Sequence, residues 1–236
     1  MSLERLDKLV SSARSVSRAD AKLLIKKGRV SVDGEIIKDC GYKCEDTAVL
    51  KVDGVEVTYK KYVYYMLNKP KGVLSASNDK TRETVVDIIA ADVKRNGLFP
   101  VGRLDKDTTG FLIVTDDGDF GHKVISPKSM VEKEYYVLVD KPITENDVKI
   151  LEQGVTLADG TKLRPAKVRV LSDDRLTLSI IITEGKYHEI KRMLGVVDAG
   201  VNELFRHRIG NVTLDATLQP GEYRELTEQE RLVLSI

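Results

Sequence analysis

The chain has 236 residues, of which 42% are hydrophobic and 32% charged, with a net charge of +1. That length buries enough apolar surface for one large domain or two modest ones, and the near-neutral balance excludes a uniformly basic nucleic-acid binder. No apolar run approaches the ~20 residues of a membrane helix, and the N-terminus MSLERLDKL lacks the basic-then-apolar order of a signal peptide. Cys40 and Cys44 have no second pair, and His122, His188 and His207 are not spaced as ligands beside them. These features predict a cytoplasmic protein with free thiols, no membrane segment and no metal.

The charge is unevenly spread. Residues 1–29 hold eight bases (Arg5, Lys8, Arg14, Arg18, Lys22, Lys26, Lys27 and Arg29) against three acids, whereas residues 30–58 hold three bases against seven acids. Concentrated positive charge attracts a polyanion. Leu3, Leu6, Leu9 and Val10 recur at helical spacing, and a second helix is predicted from Ser17, with Asp20 three residues on as in a capping box. Leu23, Leu24 and Ile25 supply its apolar side, and Gly28 ends it. Arg18, Lys22 and Lys26 follow at four-residue steps and share one face. RVSVDGEIIK reads as a hairpin turning at Asp33-Gly34, and Val49 to Val57 as another turning at Asp53-Gly54. Residues 1–58 therefore form a small α+β domain, and a polar join leads into a second domain over residues 60–236.

In that second domain, strands are predicted at Tyr62 to Leu67, Phe111 to Thr115, Tyr135 to Val139, Val168 to Leu171 and Leu176 to Thr183, and near Arg208 to Leu214. Helices are predicted at Glu83 to Ile89, after Tyr187, and at Glu228 to Leu234, where Thr227 and Glu230 form a capping box. Strands outnumber helices without alternating with them. The fold class is α+β, a mostly antiparallel sheet with peripheral helices.

Four stretches place unusual residues in loops or at strand ends. NKPKG (68–72) holds Lys69 and Lys71 around a proline turn. VGRLDKDTTGFLIVTDDGD (101–119) sets Asp105 between Arg103 and Lys106 just before a buried strand, a rigid position that reaches the surface. EKEYYVLV (132–139) puts Lys133, Tyr135, Val137 and Val139 on one strand face. TEGKYHEIKRML (183–194) turns at Glu184-Gly185 into a helix whose buried stripe is Ile190, Met193, Leu194 and Val197. Lys191 sits beside that stripe while Arg192 points away. A partly buried lysine wants a carboxylate, and Asp105 is available. DKDTTGFLIVTD also approximates a calcium loop, with Asp105, Asp107, Thr109 and Gly110 at positions one, three, five and six and Asp116 at twelve. Its flanks, however, are not helical.

Two resemblances follow from these motifs. SRADAKLLIKKGRVSVDGEIIKD resembles the S4-like RNA-binding domain. The ordered set NKPKGVLS, GRLDKDTTGFLIVTDDGD, EKEYYV, EGKYHEIKRML, LFRHRIGNVTL and LQPGEYRELT resembles the pseudouridine synthases, and specifically their ribosomal small-subunit (RsuA-like) branch. The resemblance implies isomerisation of a uridine within ribosomal RNA, without a redox, nucleotide or metal cofactor because no atoms are gained or lost. By the match to GRLD, Asp105 is the catalytic carboxylate, acting on the ribose, on the base or on a sugar proton. Lys191 is its counter-cation, assisted by Arg103, and Tyr135, matched to EKxY, packs against the base or acts on its proton. Many relatives carry Gln where this chain has Glu189, so no role is assigned to Glu189. The target uridine is expected to flip out of its stack. Phosphate contacts are expected from Lys69, Lys71, Arg103, Lys186 and Arg192 in the second domain and from Arg18, Lys22 and Lys26 in the first, whose binding should weaken with salt. A monomer is expected. The alternatives are a synthase acting on large-subunit RNA, a non-catalytic ribosome-assembly factor that grips RNA through the first domain, and a calcium module.

Overall fold

A computed structural model of the protein describes residues 3–14 and 16–234. It divides into two packing units, one running up to Val63 and including Ile89–Gly97, the other comprising Tyr64–Ile88 and the chain from Leu98 onward. In chain order the first contains β1 (Leu3–Arg5), α1 (Leu6–Ala13), α2 (Arg18–Lys26), β2 (Val30–Val32), β3 (Glu35–Ile36), β4 (Lys43–Glu45), β5 (Leu50–Val52) and β6 (Val55–Val57). Its core gathers Leu6, Leu9, Val10, Ala21, Ile25 and Leu50.

The first helix begins at Leu6 rather than Leu3. Leu3–Arg5 is extended, pairs antiparallel with β4 and leaves Leu3 68% exposed, while the Leu6 N–H is taken by the Tyr42 carbonyl at 2.8 Å. At α2, Ser17 accepts the Asp20 N–H at 3.1 Å and donates its hydroxyl to the Asp20 carboxylate at 2.6 Å. The apolar side of this helix is rotated from expectation. Ala21 and Ile25 are buried and Leu24 packs against the core, but Leu23 is exposed. Both hairpins turn through two positive-φ residues, Asp33 and Gly34 (49° and 92°) and Asp53 and Gly54 (55° and 78°), the backbone of a two-residue turn that matches strand twist. Within the same unit, Arg95 donates to the carbonyls of Lys60 and Lys61 and to the Ser12 hydroxyl, which ties Ile89–Gly97 to this unit.

One carboxylate organises much of the positive charge here. Asp7 is 1% exposed and accepts from Arg18 at 2.5 Å and Arg5 at 3.1 Å, with Lys22 at 3.9 Å. Burial alone would raise its pKa, but the hydrogen bonds from Arg5 and Arg18 outweigh burial and hold it below the usual value. Two of the three cations predicted on one α2 face, Arg18 and Lys22, thus lean on Asp7, and Lys26 is exposed.

The second unit continues with β7 (Tyr64–Lys69), α3 (Val85–Ala90), β8 (Phe99–Val101), β9 (Thr109–Thr115), α4 (Gly118–Ile125), β10 (Lys133–Val139), α5 (Glu145–Glu152), β11 (Lys167–Val170), β12 (Thr177–Ile182), α6 (Glu189–Val196), β13 (Val201–Ile209), β14 (Val212–Thr213), β15 (Tyr223–Glu225) and α7 (Glu228–Leu234). α3 straddles the division, since Ile89 and Ala90 belong with the first unit. Five of the six predicted strands are present within a few residues; the one expected near Arg208 to Leu214 is instead the end of β13, a turn at Gly210 and the short β14, and most of β13 lies before it. α4 and α5 were not anticipated: α4 buries Phe120 and Val124 one turn apart, but its two glycines mask the helix, and α5 buries only Leu151 fully. Asp117 caps α4, and a reciprocal Thr144–Asp147 box caps α5.

The strands form one sheet in the order β11-β12-β10-β13-β9-β7-β15, with β14 on β13 and β8 on β9. Every pairing is antiparallel except β9 with β13, which run parallel through Thr109–Phe205 and Gly110–Arg206. Gly110 makes that junction attainable. Its φ is +98°, and a Cβ there would fall 2.4 Å from the Arg206 carbonyl oxygen, so no other residue fits. Gly110, Arg206, Tyr135 and Ile180 lie in one row across the sheet.

Candidate active site

The loop between β8 and β9 carries Asp105, and three neighbours pin it. The Ser75 hydroxyl accepts the Leu104 N–H at 3.0 Å and donates to the Leu104 carbonyl at 2.8 Å. Gly72 N–H donates to the Lys106 carbonyl at 2.8 Å. Lys69, fully buried at the end of β7, donates to the carbonyls of Pro70 and Thr108 at 3.0 Å each and of Lys106 at 3.4 Å. NKPKG therefore braces the Asp105 loop from beneath, which corrects the expectation that Lys69 contacts phosphate: its ammonium is sealed from solvent. Burial pulls its pKa down to about 8.

α6 brings the charged partners. Lys191 Nζ lies 3.3 Å from Asp105 Oδ2 and 2.9 Å from each Asp107 oxygen. Burial acts to lower the Lys191 pKa, and the hydrogen bonds to Asp107 and Asp105 outweigh it, leaving the ammonium above its ordinary value. The hydrogen bond from Lys191 holds Asp107 below its own. On the other side, His188 Nε2 lies 3.3 Å from Asp105 Oδ1. His188 precedes α6 in a left-handed conformation, φ 48°, a costly choice for a non-glycine residue that aims the imidazole at the carboxylate. The Asp105 side chain is 27% exposed.

Asp105 borders a small hollow of about 70 Å³ lined also by Arg103, Tyr135 and Glu189. A second, larger cavity of about 360 Å³ shares Arg103 and Tyr135 and adds Lys133 and Arg206. The larger volume falls in the range of roughly 300–1,000 Å³ typical of small-molecule sites. Tyr135 is 7% exposed, and its hydroxyl is 3.5 Å from Arg206 Nη1 on the neighbouring strand. Arg206 is itself 3% exposed: its Nε donates to the Phe111 carbonyl at 2.6 Å, while Nη2 is buried without a hydrogen-bond partner. Lys133, predicted only as a strand-face residue, is buried, and burial lowers its pKa to about 8. Glu189 Oε2 accepts the Lys186 N–H at 2.6 Å, Oε1 is buried without a partner, and burial raises this carboxyl to about 7.

The structure thus brings Asp105, Lys191, Tyr135 and Arg103 to one place. Sequence reasoning missed His188, Asp107 and Arg206. Asp107 was legible as the second acid of GRLDKD, and His188 as the neighbour of the EIKRM turn. Arg206 carries no local signal, because only the β9–β13 junction brings it to the cavity. The remaining predicted cations are placed differently. Lys71 is exposed, but Lys186 pairs with Glu184 at 2.9 Å and Arg192 with Asp159, so either reaches phosphate only by leaving an acidic partner. The calcium reading fails on geometry. Asp105 and Asp107 both turn to Lys191, and the seven residues of β9 separate them from Asp116, whereas a strand spans about 3.3 Å per residue.

Comparisons with known proteins place the whole chain. The sequence pattern of the RNA pseudouridylate synthase family matches residues 63–195, and that of the S4 domain matches residues 4–50. The chain is 43% identical over 234 residues to the RNA pseudouridine synthase YtzG of Bacillus subtilis, covering 98% of both chains. It is 40% identical over 228 residues to ribosomal small subunit pseudouridine synthase A of Escherichia coli, covering 96% of this chain and 97% of that one. A crystal structure of a pseudouridylate synthase superposes with a TM-score of 0.68 at 33% identity, over 98% of this chain and 99% of the other. Near-complete coverage at these identities, over a site with the GRLD aspartate beside a cavity, means that the chain belongs to the RNA pseudouridylate synthase family of isomerases and carries an S4 domain at its N-terminal end.

Proposed function

We propose that this protein isomerises a uridine of small-subunit ribosomal RNA to pseudouridine, with Asp105 as the reacting carboxylate. One observation carries the reading. Asp105 is held between an ammonium and an imidazole at 3.3 Å each, still 27% exposed, at the edge of a hollow walled by Tyr135 and Arg103. The chemistry is balanced without a co-reactant: the bond from N1 to the ribose C1′ breaks, the base turns, C5 bonds to C1′, and the C5 proton is exchanged for one on nitrogen. Lys191 sets its ammonium against the Asp105 carboxylate at 3.3 Å, on the side where the sugar carbon is electron-poor. Tyr135 packs on the base once the uridine has left its stack. Arg103 at the cavity rim, with Lys71 and Lys26, supplies phosphate contacts, joined by Arg18 and Lys22, which lean on Asp7 yet keep about half of their side chains exposed.

The small-subunit assignment follows the E. coli relative named for it. The test is incubation of the purified protein with undermodified ribosomal RNA, followed by chemical labelling of pseudouridine and primer extension. A new stop in small-subunit RNA that Asp105→Asn abolishes is expected. A stop in large-subunit RNA would reassign the substrate. Full biological function in an Asp105→Asn strain, with loss of function on Arg18→Glu and Lys22→Glu, would identify an RNA-gripping assembly factor instead.

A further inference from the structure

Beside the site, Tyr187 is 73% exposed, although its ring is not loose. It stacks on His188 with ring centroids 3.9 Å apart and planes 20° from parallel. His188 uses its edge for Asp105 and its face for Tyr187. The imidazole is therefore fixed from two directions, and the left-handed backbone at His188 leaves it little choice of direction. A flat aromatic ring is thus held in one orientation next to the candidate reacting carboxylate, with its outer face open to solvent. Intramolecular packing gives no reason to hold a large ring there. Among the described residues, no ring covers that outer face.

We propose that the outer face of Tyr187 is a stacking subsite for a nucleobase of the RNA, the one next to the target uridine in the strand. The proposal rests on the function put forward above, since it takes the uridine to sit at Asp105. A uridine drawn into the cavity leaves its neighbour without a stacking partner, and aromatic platforms accept any base because every base has a π face. The Tyr187–His188 pair then receives the abandoned neighbour, while His188 keeps its edge on Asp105 whether or not a base is stacked. Recognition at this subsite is of a flat ring rather than of sequence.

The chain contains no tryptophan, so Tyr187→Trp places a single indole reporter at the subsite. Its emission is measured while small-subunit RNA fragments, each containing one candidate target uridine, are titrated in, together with versions that are abasic at the nucleotide on either side of that uridine or at a remote position. The expected result is quenching that is lost when one flanking base is removed and kept when a remote base is removed. Emission unchanged across the titration, or quenching indifferent to the flanking bases, overturns the subsite. In turnover, Tyr187→Ala should raise KM about tenfold with kcat within twofold, and Tyr187→Phe should restore the wild-type value. A fall in kcat alone, or failure of Phe to rescue, also overturns it. If base-dependent quenching is seen while the wild-type protein forms no pseudouridine, the subsite stands and the functional reading falls.

Discussion

Two carboxylates, one in each unit, are ringed by cations to opposite ends. Asp7 is 1% exposed and has Arg5, Arg18 and Lys22 around it, with both of its oxygens hydrogen-bonded. Asp105 has one ammonium and one imidazole at 3.3 Å, 27% exposure and a cavity at its side. Proximity of positive charge is common to both, and unused bonding capacity separates them. A carboxylate whose lone pairs are all committed is a brace, whereas one held at longer distances beside an opening can still meet a substrate.

The sharpest way to break the comparison is to remove each charge. Asp105→Asn should cut pseudouridine formation by at least about a thousandfold in single-turnover assays while leaving the thermal midpoint almost unchanged. A large loss of stability would make Asp105 a second brace. Lys191→Met should lower kcat about 10- to 100-fold, with RNA affinity by filter binding little altered, because Asp105 and Asp107 lose their shared cation. Asp7→Asn should do the reverse: activity per folded molecule is kept, and urea denaturation shows a loss of about 1.5–3 kcal/mol. The folded pKa of Asp7 lies below the ordinary 3.8, so its contribution is present above that value and vanishes as pH falls through the folded pKa. Wild type and variant should converge in acid.

Glu189 sharpens the contrast as an intermediate case, buried like Asp7 but bonded through one oxygen only. Burial, the largest influence, raises it to about 7 against an ordinary 4.5; Glu184 adds to the rise, and Lys186 and Lys133 oppose it. The folded chain thus holds this proton more tightly than the unfolded chain, and stability declines as pH climbs from 4.5 towards 7. Glu189→Gln should remove that decline, so its stability relative to wild type grows by about 1–3 kcal/mol between pH 5 and pH 8. Melting curves at the two pH values check it.

Much of this was legible in the sequence because it is local. Ser17 with Asp20, the Asp33-Gly34 and Asp53-Gly54 turns, and the Ile190, Met193, Leu194 stripe each declare themselves within a few residues. Lys191 could be placed from helical angle alone, and its reach towards Asp105 followed. What escaped depends on distant chain. Leu3 obeys helical spacing yet pairs with β4, forty residues on. Arg206 reaches the cavity because a glycine lets two strands run parallel. Lys69 looked like a surface cation because nothing local shows that three carbonyls close over it.

Those three carbonyls carry a consequence of their own. A lysine ammonium has three hydrogens to give, one for each of Pro70, Thr108 and Lys106, whereas a neutral amine has two. Above about pH 8 one strut of the Asp105 loop is therefore released. Because the folded chain gives up this proton more readily than the unfolded chain, whose lysine titrates near 10.5, stability does not fall with it and rises between those values. Turnover and thermal resistance should consequently part company in alkali, where two amines titrate near 8, Lys69 beneath the Asp105 loop and Lys133 in the cavity wall; Lys133→Met, which removes the second, leaves the scaffold amine to set the basic limb of the rate profile.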